Sequence, residues 1–320
     1  MKTTSKLIYS ALVVLSLGVG AVTANGALGD LFVSSNGIGG NGGGFIYQYT
    51  PKGAQSTFAS GISRPRGVAF DSSGNLFVAT SPFDNVNQVF VATIVKITPA
   101  GVQSIFVTLG NYFLEGIAID HSNNVFVFGL DQNNPPLPSP IFEITPGGVQ
   151  STFGSVPGPG FGLAFDSAGN LFAADGGYQI QTIYKFTPDG TRSVFVGPAA
   201  FGAEQIPFGL AFDRFGNLFV STDPFFNPGG NDVILKFTSD GMESTFATGL
   251  NYPKGLAFAR GGNLFVAEII PDAVGDILKF TPDGMRTAFA SNISLPEFLA
   301  FQRLPTPRPR PTPHPRPLLP

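Results

Sequence analysis

Residues 162–174 read Gly162-Leu-Ala-Phe-Asp-Ser-Ala-Gly-Asn-Leu-Phe-Ala-Ala, and this unit recurs along the chain of 320 residues. Its first four residues return at intervals of 43 to 49 residues. The six copies begin with Gly67-Val-Ala-Phe, Gly116-Ile-Ala-Ile, Gly162-Leu-Ala-Phe, Gly209-Leu-Ala-Phe, Gly255-Leu-Ala-Phe and Phe298-Leu-Ala-Phe. A period in this range is typical of propellers and other repeat folds.

Each copy contains four short apolar strings rich in β-branched and aromatic residues, which predict strands. Turn sequences such as Asp166-Ser-Ala-Gly-Asn and Thr187-Pro-Asp-Gly separate the strings. Asp can bond its own backbone, Gly tolerates positive φ, and Pro presets φ for a type I turn, so both sequences predict hairpins. We therefore predict an all-β fold, a six-bladed β-propeller with four antiparallel strands per blade.

The phase of the repeat predicts how the ring closes. The second string of the unit begins once, at Leu31, before the first Gly-Val-Ala-Phe copy. The last copy, Phe298–Phe301, has no second string after it. Pairing the two chain ends in one blade would leave no naked sheet edge, so we expect residues 298–301 to lie beside residues 31–33. The 33 Phe residues are expected to fill the space between blades.

The first 24 residues predict a secretory signal peptide. Lys2 and Lys6 give a basic start, and residues 7–21 form an apolar run that is short for a membrane span. Small residues up to Ala24 suit cleavage there. An uncleaved anchor is the alternative. We expect a secreted, periplasmic or cell-surface protein with no transmembrane segment after cleavage.

Composition divides the rest of the chain in two. Residues 25–302 carry the repeat, and residues 303–320 form a Pro- and Arg-rich segment that predicts a disordered tail. The formal net charge is −3, and six cations lie in the leader and tail, which leaves −9 for residues 25–302. An acidic body argues against nucleic-acid binding. The chain has no Cys and therefore no disulfides. We also expect the protein to be a monomer.

One face of the predicted ring carries the candidate site, because the loops on that face vary between copies while the opposite turns repeat. The residue before each inner strand would surround the channel mouth, and ends of the second strands would add two carboxylates. In ring order the candidate ligand-binding residues are Glu297, Arg66, Glu115, Phe161, Phe208 and Lys254, joined by Asp175 and Glu268. Lys254 is expected beside Glu297.

This half-charged, half-aromatic mouth has two interpretations. It would orient a small polar ligand, or its alternating charges would pair with one another as a collar that plugs the channel. The one histidine in residues 25–302, His121, lies in a turn of the opposite face, so no histidine serves the mouth as base or metal ligand.

The repeat resembles the NHL repeat and that of the SMP-30/gluconolactonase/LRE-like six-bladed propellers. The resemblance implies a metal in the mouth, held by acidic or Asn side chains just before the inner strands. Glu115 and Glu297 match such positions and are the metal candidates, whereas the other four positions hold Arg66, Phe161, Phe208 and Lys254.

The functional prediction is an exported scaffold that binds a small polar ligand, a glycan or a protein through the variable-loop face. The alternative is a metal-dependent lactonase, hydrolase or lyase with a degenerate metal site, for which a divalent cation would be the cofactor. Otherwise no cofactor is expected, and no catalytic residue is assigned.

Overall fold

A computed structural model describes residues 29–37, 43–131, 138–177, 180–201, 205–224, 232–270 and 274–302. Within these ranges the chain is built from short strands. In the first half they are β1 (Leu31–Ser35), β2 (Gly44–Tyr49), β3 (Gln55–Ile62), β4 (Pro65–Phe70), β5 (Leu76–Thr80), β6 (Phe83–Asp84), β7 (Val89–Phe90), β8 (Ala92–Ile97), β9 (Gln103–Gly110), β10 (Tyr112–Ile119), β11 (Val125–Asp131), β12 (Ser139–Ile144) and β13 (Gln150–Val156).

The second half continues the pattern, with one 3₁₀ turn at Pro198–Ala200. Its strands are β14 (Gly160–Phe165), β15 (Leu171–Asp175), β16 (Thr182–Phe186), β17 (Arg192–Val196), β18 (Gln205–Phe212), β19 (Leu218–Pro224), β20 (Asp232–Phe237), β21 (Glu243–Leu250), β22 (Pro253–Phe258), β23 (Leu264–Ile270), β24 (Val274–Phe280), β25 (Arg286–Ser294) and β26 (Pro296–Phe301).

Apart from the small hairpin β6–β7, the described strands form six four-stranded antiparallel sheets, each of which is one blade. From the inner strand outward, blade 1 is β4-β5-β8-β9, blade 2 β10 to β13, blade 3 β14 to β17, blade 4 β18 to β21, blade 5 β22 to β25, and blade 6 β26-β1-β2-β3. The predicted six-bladed β-propeller is confirmed.

The two chain ends close the ring as predicted. Strands β1 and β26 pair antiparallel, with Leu31 opposite Phe301 and Val33 opposite Leu299. The inner strands contact one another in a complete cycle, β4 with β10, then β14, β18, β22, β26 and back to β4. Residues far apart in sequence therefore meet around one central channel.

Phenylalanine side chains fill the space between adjacent blades. In blade 6, for example, the ring of Phe32 on β1 contacts that of Phe58 on β3 and that of Phe70 on β4 of the next blade, each edge-to-face at 4.9 Å. The same arrangement recurs around Phe126, Phe172, Phe219 and Phe265. These phenyl rings therefore pack in the hydrophobic core between the blades.

The hairpins between the first and second strands have the predicted turn chemistry. In blade 1 the Asp71 carboxylate accepts hydrogen bonds from the backbone N–H groups of Ser73 and Asn75, and Gly74 has φ +81°. In blade 2 Asn123 takes the glycine position with φ +65°, which Asn tolerates better than most residues. These rigid turns fix the face opposite the candidate site.

Residues 1–24 and 303–320, for which a leader and a tail are predicted, lie outside the described residues. Within the described ranges, no helix has the length and apolar character needed to cross a bilayer.

Candidate functional site

Every inner strand has a β-bulge at the same place. Pairing with the second strand shifts register between Pro65 and Val68 in blade 1, and at corresponding points in the other blades. The residues within the bulges are Arg66-Gly67, Glu115-Gly116, Phe161-Gly162, Phe208-Gly209, Lys254-Gly255 and Glu297-Phe298. Bulges commonly redirect side chains beside binding sites, and here the first residue of each is a predicted mouth residue.

The glycines of these bulges permit close contact between blades. A Cβ on Gly116 would lie 2.1 Å from the carbonyl oxygen of Phe161, and one on Gly162 would lie 2.3 Å from that of Phe208. Such distances are far below van der Waals contact, so no other residue fits without moving the neighbouring backbone. Blade 6 departs from the pattern and has Phe298.

Serine hydroxyls hold two of the bulges. Ser221 on β19 accepts a hydrogen bond from the Gly209 N–H at 2.8 Å and donates one to the Lys254 carbonyl at 2.6 Å. Ser34 on β1 accepts from the N–H of Phe298 at 3.0 Å. The backbone groups that leave the sheet ladder at a bulge are thus satisfied by side chains, which fixes the mouth residues in place.

Three of the four charged residues at the inner-strand bulges follow strained backbone. Arg64, Tyr252 and Leu295 have φ of +49°, +40° and +41°, and each precedes a proline. Non-glycine residues in this region cost on the order of 1 kcal/mol and concentrate at functional sites. Each lies two residues before a charged mouth residue, so strained backbone precedes Arg66, Lys254 and Glu297 in blades 1, 5 and 6.

A cavity of about 370 Å³ opens at the mouth. Its walls combine charged and aromatic side chains: Arg66, Glu115, Phe161, Ile206, Phe208, Asp223, Tyr252 and Lys254. The ring thereby brings five of the predicted residues, from five different blades, around one space. Glu297, from blade 6, does not line this cavity but contacts Arg66, which does.

Arg66 joins two of the predicted carboxylates. Its Nη1 lies 2.8 Å from Glu297 Oε2, and its Nε lies 4.0 Å from Glu115 Oε1. Its guanidinium also lies 5.1 Å from the ring centroid of Phe113. Burial lowers the pKa of Arg66, but the two carboxylates outweigh burial and raise it above its usual value. Arg66 is therefore a permanent cation between Glu115 and Glu297.

Lys254 forms its ion pair with Asp223, while its strand, β22, lies beside β26, which carries Glu297, in the expected ring order. Asp223 lies at the end of β19, in the blade before that of Lys254, and its carboxylate meets the ammonium group directly. The Lys254 Nζ also lies 4.3 Å from the centroid of the Phe208 ring. Both partners draw the ammonium group toward blade 4 and away from Glu297.

Glu115 has the least compensation of the mouth charges. It is only 5% exposed, and its Oε2 has no hydrogen-bond partner among the residues that the structure describes. Burial raises the pKa of Glu115 to about 7, since Arg66 and Lys254 offset only part of the desolvation and Glu297 opposes them. A buried carboxyl that titrates near neutrality at a cavity wall is a strong candidate for contact with a ligand.

The aromatic half of the mouth is a stack. The rings of Phe161 and Phe208 lie 4.8 Å apart at 26°, and Phe208 lies 5.8 Å from Phe298 at 30°. Phe298 also borders a second cavity of about 120 Å³, enclosed by aliphatic side chains of the inner strands. Phe298, which replaces the glycine of the other blades, thus lies between the mouth and the apolar channel below it.

Asp175 and Glu268 are not part of the cavity wall. The Asp175 carboxylate accepts from the backbone N–H groups of Gly158 and Gly177, at 3.1 and 2.9 Å. Glu268 accepts from the Asn251 N–H at 3.2 Å and lies 3.4 Å from Arg286. Burial raises the pKa of both carboxyls. Both groups hold loops of the mouth face, because they lie where the second strands end beneath those loops.

Sequence reasoning missed Ile206 and Asp232. Ile206 lines the cavity because β18 begins at Gln205, earlier than the Gly209 copy of the repeat indicates. Asp232 begins β20 and accepts a hydrogen bond from the Tyr252 N–H at 2.8 Å. Burial raises the pKa of Asp232 to about 6, and Asp223 adds to the effect. Both positions depend on variable segments, which the internal repeat does not align.

The mouth residues do not fit a divalent metal. A hard cation needs several oxygen ligands, but the Arg66 guanidinium lies between the Glu115 and Glu297 carboxylates. The remaining inner-strand positions carry Phe161, Phe208 and Lys254, none of which supplies a carboxylate. Among the residues that the structure describes, no three acidic or histidine side chains are grouped to hold an ion.

Comparisons with known proteins identify the fold and no family. No family model and no curated protein matches the sequence. Similar solved structures include TolB from Acinetobacter baumannii (11% identity, TM-score 0.67, covering 86% of this chain and 66% of that one). A virginiamycin B lyase from Staphylococcus aureus with quinupristin has 16% identity and TM-score 0.55 over 87% of this chain and 93% of its own.

A gluconolactonase from Xanthomonas campestris is also similar, with 16% identity and a TM-score of 0.55, over 71% of this chain and 75% of its own. At these identities the likeness shows a shared propeller architecture. The chain spans 66% of the TolB chain that it matches.

Proposed function

We propose that this protein is an exported β-propeller that binds a small organic ligand at the mouth of its channel, without a divalent metal. The observation that carries the proposal is the cavity of about 370 Å³, with a charged wall and an aromatic wall. Ligand sites of about 300–1,000 Å³ with apolar walls and a few convergent polar groups are common in proteins. The experiment below also distinguishes a glycan or a protein segment as the ligand of the mouth.

The closed-collar interpretation accounts for only part of the mouth. Arg66 with Glu297, and Lys254 with Asp223, are paired as a collar would require. The cavity beside them remains open, and Glu115 Oε2 on its wall has no hydrogen bond from the described part of the chain. Buried polar atoms are normally satisfied, so an unpaired one at a cavity wall supports a ligand or water as its partner.

Metal-dependent hydrolysis of a lactone is not proposed for this chain. The likeness to a gluconolactonase, at 16% identity, extends to the fold. The Arg66 guanidinium lies where two acidic ligands would have to share a cation. We therefore expect no divalent cation to stabilise the native protein.

Saturation-transfer NMR with a panel of small aromatic fragments tests the proposal. Phe161 is half-buried on the cavity wall, whereas Phe215 is 73% exposed in a turn of the opposite face. Phe161→Ala should abolish most of the fragment signals, because the aromatic ring of the fragment can no longer stack on that side chain. Phe215→Ala is the matched control and should leave them unchanged.

Melting curves of both variants establish that they fold. If every fragment binds Phe161→Ala as well as the wild type, the mouth is not the site and the proposal fails. If no fragment binds but a glycan array or protein capture responds to Phe161→Ala, the mouth is the site and its ligand is of the other class.

A further inference from the structure

We propose that the ligand carries a protonated amine, which binds at Glu115, on a flat apolar body that lies against Phe161 and Phe208. This inference rests on the proposed function, since it names the class of ligand that the mouth cavity takes. The mouth combines an unpaired acceptor, cations that are already paired, and an aromatic wall.

The unpaired acceptor is Glu115 Oε2. The residue lines the cavity and is 5% exposed, and none of the described residues donates a hydrogen bond to this oxygen. The closest cationic atom paired with it is Arg66 Nε, 4.0 Å from the other carboxylate oxygen. That distance is too long for a hydrogen bond. An ammonium group offers up to three donors to this carboxylate.

The cations of the mouth are already paired. Arg66 lies 2.8 Å from Glu297 and packs on Phe113, and Lys254 is held by Asp223 and by the face of Phe208. Among the described residues, two carboxylates, Glu115 and Asp223, line the cavity with these cations. Two more contact lining residues, Glu297 at Arg66 and Asp232 at the Tyr252 N–H, so the cluster has more carboxylates than cations. A cationic ligand supplies missing positive charge, whereas an anionic ligand adds to the excess.

The raised pKa values of Glu115, about 7, and Asp232, about 6, agree with this excess of carboxylates. The charged groups that act on Glu115 are Arg66, Lys254 and Glu297. Two of them are cations that already have other partners. Binding an amine should therefore draw a proton off Glu115, so affinity rises with pH through neutrality.

The aromatic wall provides a surface for the apolar body. The stacked rings of Phe161 and Phe208 line the cavity, and Ile206 extends that surface. A ring or flat aliphatic body in contact with them would hold the amine toward Glu115, which lies on the blade next to that of Phe161. Cation–π attraction to the same rings would add to the binding.

Three probes with one phenyl group separate the head-group classes: 2-phenylethylamine, 2-phenylethanol and 3-phenylpropionate. Isothermal titration calorimetry or ligand-observed NMR at pH 8 should show the amine binding about tenfold tighter than either of the others, the size of one charge-assisted hydrogen bond. The alcohol and the carboxylate are needed because Arg66 Nε has no hydrogen-bond partner among the described residues either, and this N–H would favour a ligand with an acceptor.

Glu115→Gln should remove the preference, leaving the amine and the alcohol with similar affinity. Glu243→Gln, at an exposed position of β21, is the matched control and should retain it. In the wild type, lowering the pH from 8 to 5.5 should lower the affinity for the amine by about tenfold and leave the affinity for the alcohol unchanged. This pH series keeps the proposal falsifiable if Glu115→Gln fails to fold.

An amine that binds no better than the alcohol, a preference that survives in Glu115→Gln, or a preference for the carboxylate would each overturn the inference. The proposed function would stand in those cases as long as the probes bind and Phe161→Ala weakens them. Absence of binding by all three probes, together with no fragment that responds to Phe161→Ala, would instead overturn the proposed function.

Discussion

Glu115 is a carboxyl group that folding places where its charge is poorly stabilised. Among the described residues, the cation that pairs with it is Arg66, which is shared with Glu297 and lies nearer to Glu297. Burial of an acid with too little compensation favours its neutral form, and the pKa of about 7 expresses that balance. Burial of the Glu115 carboxylate lowers the stability of the folded protein, but it also leaves a hydrogen-bond acceptor at the mouth for a ligand.

The cost at Glu115 predicts a pH-dependent effect of Glu115→Gln on stability. The folded-state pKa of about 7 exceeds the ordinary value of 4.5, so between these values the native state binds more protons than the unfolded state. The free energy of unfolding therefore falls as pH rises through this window. Because Gln stays neutral, the variant should match the wild type at pH 4 and exceed it at pH 8 by on the order of 3 kcal/mol.

Urea unfolding at pH 4, 6 and 8 measures this difference, with the exposed Glu243→Gln as a control that should track the wild type throughout. A Glu115→Gln variant that is less stable than the wild type at pH 8 would show that the ionised carboxylate is well stabilised and would remove the basis for the excess-charge argument.

Among the elements, the bulged inner strands produce the site. The bulge turns one residue per blade toward the mouth, and the glycine after it lets the next blade approach. The repeat made the residue before each glycine identifiable from the sequence alone. The bulge itself was not predictable, since it depends on the pairing register of two strands, and the same is true of the strained residues Arg64, Tyr252 and Leu295.

Gly116→Ala tests the close approach of the inner strands. Its Cβ would lie 2.1 Å from the Phe161 carbonyl oxygen, which is backbone and has little freedom to move. The variant should lose about 3 kcal/mol of stability or more, as overpacked cores do. Gly197→Ala is the control, because nothing lies within 4 Å of its added Cβ, and its stability should change by less than about 1 kcal/mol. Denaturant unfolding measures the stability of both variants. Equal stabilities of Gly116→Ala and Gly197→Ala would contradict close packing of the inner strands.

At the scale of the whole molecule, the fold and most of the mouth followed from the internal repeat. Six copies compared with one another gave the blade count, the closing blade and the ring of inner-strand residues. The partners of Lys254, Asp175 and Glu268 did not follow, because they lie in variable loops or at strand ends whose geometry no repeat aligns. Whether a charge faces the cavity or a backbone N–H is decided by those loops.

Ring closure is the claim on which the site depends, since it brings Arg66 and Glu297 together across the two chain ends. Thermal unfolding of three chains, residues 25–320, 25–302 and 25–295, tests it most directly. The first two should unfold in the same cooperative transition, because residues after Gln302 pair with no blade in the predicted organisation. The third lacks β26, leaves the inner edge of β1 unpaired, and should lose that transition and aggregate. Cooperative unfolding of residues 25–295 at the temperature of residues 25–302 would contradict the closed ring and, with it, the mouth.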